Sequence, residues 1–143
     1  MEQYKIVIDT LGSDKGPEAV ILGASLALKE NPDLFVTLVG PEELINSKIK
    51  ELEMDASRVK IVPANETITN YENPYTGIMN KHDASLVLAM KEVGKDEENY
   101  AGMITAGSSG AILMGSFRYL SDEVKIRPCM AALLPNEAGS YTC

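Results

Sequence analysis

Two glycine-rich turns hold the residues best suited to chemistry in this 143-residue chain. The first, DTLGSDKGP, places the carboxylates of Asp9 and Asp14 on either side of Gly12 and Ser13. A carboxylate there could orient a hydroxyl, an amine or a metal; Asp14 could instead cap the helix that Pro17 begins. The second, TAGSSG, runs from Thr105 through Gly107, Ser108, Ser109 and Gly110 into a helix. Small residues let a bound group approach the backbone. The free N–H groups of a first helical turn, and the helix dipole, favour an anion. The chemistry is that of a phosphate or carboxylate seat; the alternative is a close-packed corner with no ligand. Lys81 and His82 form a third candidate. His82 could act as acid or base near neutral pH, or serve only as a surface or capping residue. Ser108 and Ser109 lack a GxSxG setting and have a single histidine to draw on, so hydrogen bonding to an anion suits them better than nucleophilic attack.

Several chemistries are disfavoured. Neither turn makes GxGxxG or GxxxxGK[ST], so no nucleotide cofactor is expected. Two cysteines, Cys129 and Cys143, and one histidine do not make a zinc site, and no metal is expected. Cys129 stands in an apolar run, where an inert core thiol is expected. Arg127 could reach a phosphate or remain solvated. A formal net charge of −8 argues against nucleic acid as a partner. The N-terminus reads straight into a strand without a signal peptide, and no apolar run is long enough to span a bilayer, so the expected location is the cytoplasm.

The elements that must position these turns follow from the apolar patterning. Strands are predicted at Lys5–Asp9, Leu34–Val39, Val59–Val62, up to Thr105, and at Cys129–Leu134. Helices are predicted at Pro17–Glu30, with Glu18, Ser25 and Lys29 as its polar stripe, from Pro41 to about Glu53, at Asp83–Lys95 with Asp83 as N-cap, and from Ala111 to about Leu120. Ala64–Thr76 reads as an irregular loop, long enough to suggest a function. This alternation predicts one α/β domain over residues 1–143, with three α/β/α layers and a doubly wound, mostly parallel sheet. Ligands in such sheets bind outside the carboxyl ends of the strands, where the two glycine-rich turns would share a cleft.

Four segments, in order, carry a resemblance: DTLGSDKGPE, the LVG that closes the second strand, HDASLVLAMKEV, and TAGSSGAILMG followed by IRPCMAALLP. Together they resemble the bacterial phosphate acyltransferase family known as PlsX. That family has Met-Gly-Gly-Asp after its first aspartate and Ser-Ala-Gly-Asn-Thr-Gly-Ala in the last segment. Here Leu11 replaces the methionine, Ser13 the second glycine, Thr105 the serine, and Ser108–Ser109 the Asn-Thr pair. These exchanges keep small hydroxyl or amide chemistry. The matched stretch stops short of the family's Asp-Xaa-Gly-Ala-Asn segment, so the chain is expected to be an N-terminal piece of a divergent member, incomplete at its C-terminus.

The resemblance implies a Rossmann-like fold of the isocitrate/isopropylmalate dehydrogenase kind. It also implies transfer of a fatty acyl group from acyl carrier protein to inorganic phosphate, giving an acyl phosphate for phospholipid synthesis. Acyl carrier protein and phosphate are then the expected partners. A homodimer, and peripheral contact with a membrane, would draw on the family's second half. On this reading Gly12, Ser13, Asp14, Thr105, Gly107, Ser108, Ser109 and Gly110 bind phosphate or substrate, and Asp9, Lys81 and His82 are the catalytic candidates. The alternatives are a short-chain phosphate acyltransferase using acyl-CoA, and a noncatalytic anion-binding module.

Overall fold

The structure is a computed structural model that describes residues 3–121, 127–132, 134–135 and 141–142. Strands β1 (Tyr4–Asp9), β2 (Leu34–Gly40), β3 (Val59–Pro63) and β4 (Gly102–Ile104) form one all-parallel sheet in the order β3-β2-β1-β4. Helices α1 (Pro17–Glu30) and α2 (Glu42–Glu51) make the crossovers from β1 to β2 to β3. Strand side chains alternate between faces, so Ile8, Val36 and Leu38 meet Ile21, Ala24, Leu28 and Ile45 of these helices in one buried cluster. The chain then crosses to the other face through α3 (Pro74–Asn80) and α4 (Ser85–Val93), where Ala89 packs with Val7 and Val39. It returns beside β1 as β4 and ends the described core in α5 (Ser109–Tyr119). The doubly wound three-layer α/β/α architecture expected from the alternation is therefore observed.

Some local expectations are corrected. Asp14 does not cap α1: the N-cap is Gly16, at φ 80°, with no side-chain hydrogen bond. A left-handed φ there suits glycine, and Pro17 supplies the preset first helical residue. Ser25 is not on the solvent stripe of α1 but buried on its inner face, while Leu22 and Leu26 are exposed. Ala64–Thr76 is not wholly irregular. Asn73 accepts the N–H groups of Tyr75 and Thr76 at 3.0 and 3.2 Å and starts α3, with Pro74 in the first turn. Asp83 does not cap α4. Ala84 is held extended by a parallel bridge to Glu66, with Ser85 N–H donating to the Glu66 carbonyl at 2.8 Å, and the helix starts one residue later.

The strand expected at Cys129–Leu134 is not part of the main sheet. Cys129–Ala132 has no regular structure, and Cys129 is exposed rather than a core thiol. Among the described residues Leu134–Pro135 (β5) pairs with Tyr141–Thr142 (β6), antiparallel, and not with the main sheet. An apolar run becomes a strand only against an edge that can take its hydrogen bonds. Cys143 lies outside the described residues. Arg127 is exposed.

A charged network ties α4 to the amino-terminal part of the sheet. Glu92 is 4% exposed and accepts from Lys60 at 2.8 Å, from Tyr100 at 2.9 Å and from Lys95. The Tyr100 proton is committed to Glu92, so the Thr37 hydroxyl, 3.0 Å away, donates to the Tyr100 oxygen. Burial alone pushes the Glu92 carboxyl up; the hydrogen bonds from Lys60, Lys95 and Tyr100 outweigh it and hold it at about 2. The unfolded chain returns this group to about 4.5. Its contribution to stability is therefore complete above that value and is lost as the pH falls towards 2. Glu92→Gln is expected to flatten the acid limb of a urea-midpoint-against-pH curve between those two values. An unchanged acid limb would assign the loss to other carboxylates.

Candidate functional site

The strand order reverses between β1 and β4, and the loops leaving their carboxyl ends meet there. The contact is between backbones. A Cβ placed on Gly12 would stand 2.6 Å from both the Cα and the N of Gly107. Only a residue without a side chain at position 12 allows the turns to touch in this way.

Asp9 ends β1 at 2% exposure. Its Oδ1 accepts the Leu11 N–H at 3.1 Å, and its Oδ2 accepts the Thr105 hydroxyl at 2.9 Å. Thr105 Oγ1 in turn accepts the Gly107 N–H at 3.0 Å. Ser108 is the N-cap of α5 and is nearly buried; its Oγ faces the Ala111 N–H at 3.5 Å, a long contact. The N–H groups of Ser109 and Gly110, the first two of the helix, take no acceptor among the described residues.

These turns form one wall of a cleft of about 240 Å³. Leu11, Gly12, Ser13, Asp14 and Ser108 line that wall, and Thr67–Tyr71 line the opposite one. The volume lies below the roughly 300–1,000 Å³ of sites for drug-sized ligands, which suits a small polar group. Among the described residues no basic side chain lines it. Its donors are neutral: the hydroxyls of Ser13, Thr67 and Tyr71 and the amide of Asn70, with the α5 terminus beside them; the Thr69 hydroxyl donates instead to Glu72.

The structure thus brings Asp9, Gly12, Ser13, Asp14, Thr105, Gly107 and Ser108 together. Ser109 is exposed at the start of α5. Gly110 is close-packed, since a Cβ there would meet Pro74 Cγ at 2.7 Å. Lys81 stands behind the opposite wall. Its ammonium donates to the Thr67 carbonyl at 3.0 Å and pairs with Glu72 at 2.7 Å and Glu66 at 3.8 Å. Hydrogen bonds from Lys81, and then from Thr69, lower the Glu72 carboxyl to about 2. His82 is exposed in the turn between α3 and α4, outside the cleft lining, and its carbonyl accepts from Lys91 at 3.2 Å. The only signal in the sequence for the Thr67–Tyr71 wall is the unusual length of its loop; the residue types within it carry none. Among the described residues, no group of three or more His, Cys, Asp or Glu side chains gathers as a metal site requires.

Residues 4–143 match the model of a protein family described as fatty acid synthesis protein. The chain belongs to the fatty acid synthesis protein family. Relatives in it are named phosphate acyltransferase. The chain is 36% identical over 139 residues to that of Syntrophomonas wolfei, covering 96% of this chain and 43% of the relative. It is 40% identical over 136 residues to that of Bacillus cereus, covering 94% and 39%. For Clostridium novyi the figures are 31% over 138 residues, with 96% and 41% covered. The chain therefore spans about 40% of the length of the family members it matches. Among its described residues no helix is long and apolar enough to cross a membrane.

Proposed function

We propose that this chain supplies the phosphate-binding part of a phosphate acyltransferase. The enzyme would take a fatty acyl group from an acyl carrier protein thioester and release an acyl phosphate. The observation that carries the reading is the contact of Gly12 with Gly107 beside the open first turn of α5. The name shared by the relatives supports it. In this reaction a phosphate oxygen attacks the thioester carbonyl carbon. The new O–C bond forms, the C–S bond breaks, and the sulfur leaves with a proton as the free carrier thiol. Phosphate is itself the nucleophile, so the protein's tasks are to fix it in place and to stabilise the developing oxyanion. Backbone N–H groups at a helix terminus do the first without a side-chain cation.

Calorimetry with inorganic phosphate on this chain, together with phosphate-dependent release of free carrier protein from its acyl thioester, tests the reading. Saturable phosphate binding and phosphate-dependent release are expected. Release from acyl-CoA but not from the carrier thioester would replace the donor, and binding without release from either in the full-length parent protein would favour a noncatalytic anion-binding module. Absence of phosphate binding would overturn the seat.

A further inference from the structure

Asp9 is a buried carboxylate at the centre of the candidate site, and the reaction proposed above gives it no step. Both of its oxygens are engaged within the protein. Oδ1 accepts the Leu11 N–H, two residues on in its own loop. Oδ2 accepts the Thr105 hydroxyl from the loop after β4. An ionised carboxylate only accepts, and a threonine hydroxyl has one proton. The Thr105 proton is therefore aimed at Asp9, and this leaves the Thr105 lone pairs to take the Gly107 N–H at 3.0 Å. Each hydrogen bond sets the direction of the next. The chain of bonds ends on the residue whose backbone meets Gly12 and precedes the N-cap of α5.

We propose that Asp9 is a positioning residue that acts through Thr105. It holds the Gly107 peptide with its N–H turned inward and so places Ser108 and the first turn of α5 against Gly12. Asp9 neither accepts a proton from substrate nor touches it. The Gly107 N–H belongs to the bracket rather than to the ligand, and the N–H groups left for an anion are those of Ser109 and Gly110. The assignment rests on the reading of the cleft as a phosphate seat only for its functional consequence; the bracket itself can be measured without ligand.

Amide hydrogen exchange by NMR on this chain reads the bracket directly. Thr105→Val removes the hydroxyl at nearly constant volume, and Asp9→Asn replaces one of the two acceptor oxygens by a donor, so the Leu11 N–H and the Thr105 hydroxyl can no longer both be accepted. Both are expected to lower protection of the Gly107 N–H at least tenfold while the β1 amides of Val7 and Ile8 keep theirs, which also reports that the variants are folded. Thr105→Ser retains the hydroxyl and is expected to keep Gly107 protection within about twofold. The two disruptive changes act on one chain of bonds, so combining them should cost little more than either alone. Wild-type Gly107 protection in Thr105→Val would overturn the proposal. A second arm measures phosphate affinity and, where the transferase assay reports turnover, its pH profile. Weaker phosphate binding with an unchanged profile is expected of Asp9→Asn. Loss of turnover with phosphate affinity and Gly107 protection both intact would make Asp9 an acid or base and overturn the assignment. If the wild type binds no phosphate, the seat fails, while the exchange arm still decides the bracket.

Discussion

Replacing Gly12 with alanine is expected to weaken phosphate binding on the order of 10- to 100-fold, because parting the two loops forfeits about one hydrogen bond to a charged group, roughly 1.5–3 kcal/mol. The added methyl would lie 2.6 Å from the Gly107 backbone, against about 3.5–4.0 Å for an ordinary carbon contact. The atoms it meets are main chain, so no side-chain rotation relieves the clash, and the two loops must part by about an ångström. Parting them stretches the hydrogen bond of Thr105 to Asp9 and moves the first turn of α5 away from the β1 loop. The sheet beneath is expected to persist, since Gly12 belongs to none of the buried apolar clusters. Phosphate calorimetry beside a urea unfolding curve makes the comparison. Wild-type affinity in Gly12→Ala would mean that the close approach of the loops has no part in binding.

Leu38→Ala is expected to have the opposite signature, a large loss of stability with the cleft left intact. Leu38 is fully buried at the middle of β2 and faces α1 and α2, away from the α4 side of the sheet. Truncating a leucine in such a place costs about 2–5 kcal/mol through lost transfer energy and the cavity left behind. That is a large share of the roughly 5–15 kcal/mol that holds a domain of this size together. The urea midpoint should fall accordingly, and phosphate affinity measured well below the transition should match the wild type. A loss under about 1 kcal/mol would mean that α1 and α2 collapse onto the gap.

The architecture was legible in the residues because the strongest signals agreed. Short apolar runs such as KIVID and LFVTLV, separated by a Pro-started helix, leave little choice but a parallel sheet with crossovers. The meeting of the two glycine-rich turns was also legible, since Asp9 ends one predicted strand, Thr105 stands at the close of another, and such ends gather on one edge of a parallel sheet; in the fold Thr105 directly follows β4. Less could be read where tertiary contacts overrode local pattern. The start of α4 is set by a bridge from Glu66, some twenty positions earlier, and no feature around Asp83 announces it. The helical period and its polar type put Ser25 on the solvent stripe of α1 with Glu18 and Lys29, whereas packing on the sheet buries it. The apolar run at Cys129 has the composition of a strand, but composition says nothing about whether an edge is free to receive it. Within the site, residue types pointed to Asp9 as a chemical group; only the geometry reveals that both its oxygens are already taken.

The reversal of strand order also bears on how the molecule comes to be made. Every member of the cluster under α1 and α2, including the half-buried residues around it, lies at or before Ile61. That cluster is therefore contributed entirely by the first half of the chain, through crossovers between strands that are near neighbours in sequence. The site cannot form from that half alone. Its bracket joins Asp9 to a residue 96 positions later, and closing so long a loop is a slow step that follows local assembly. Until β4 arrives, one edge of β1 lacks its parallel partner, and the turn after Asp9 has nothing to meet. The frame and the cleft thus draw on different reaches of the sequence: the cluster under α1 and α2 is built by local crossovers, whereas the site needs a contact across 96 positions.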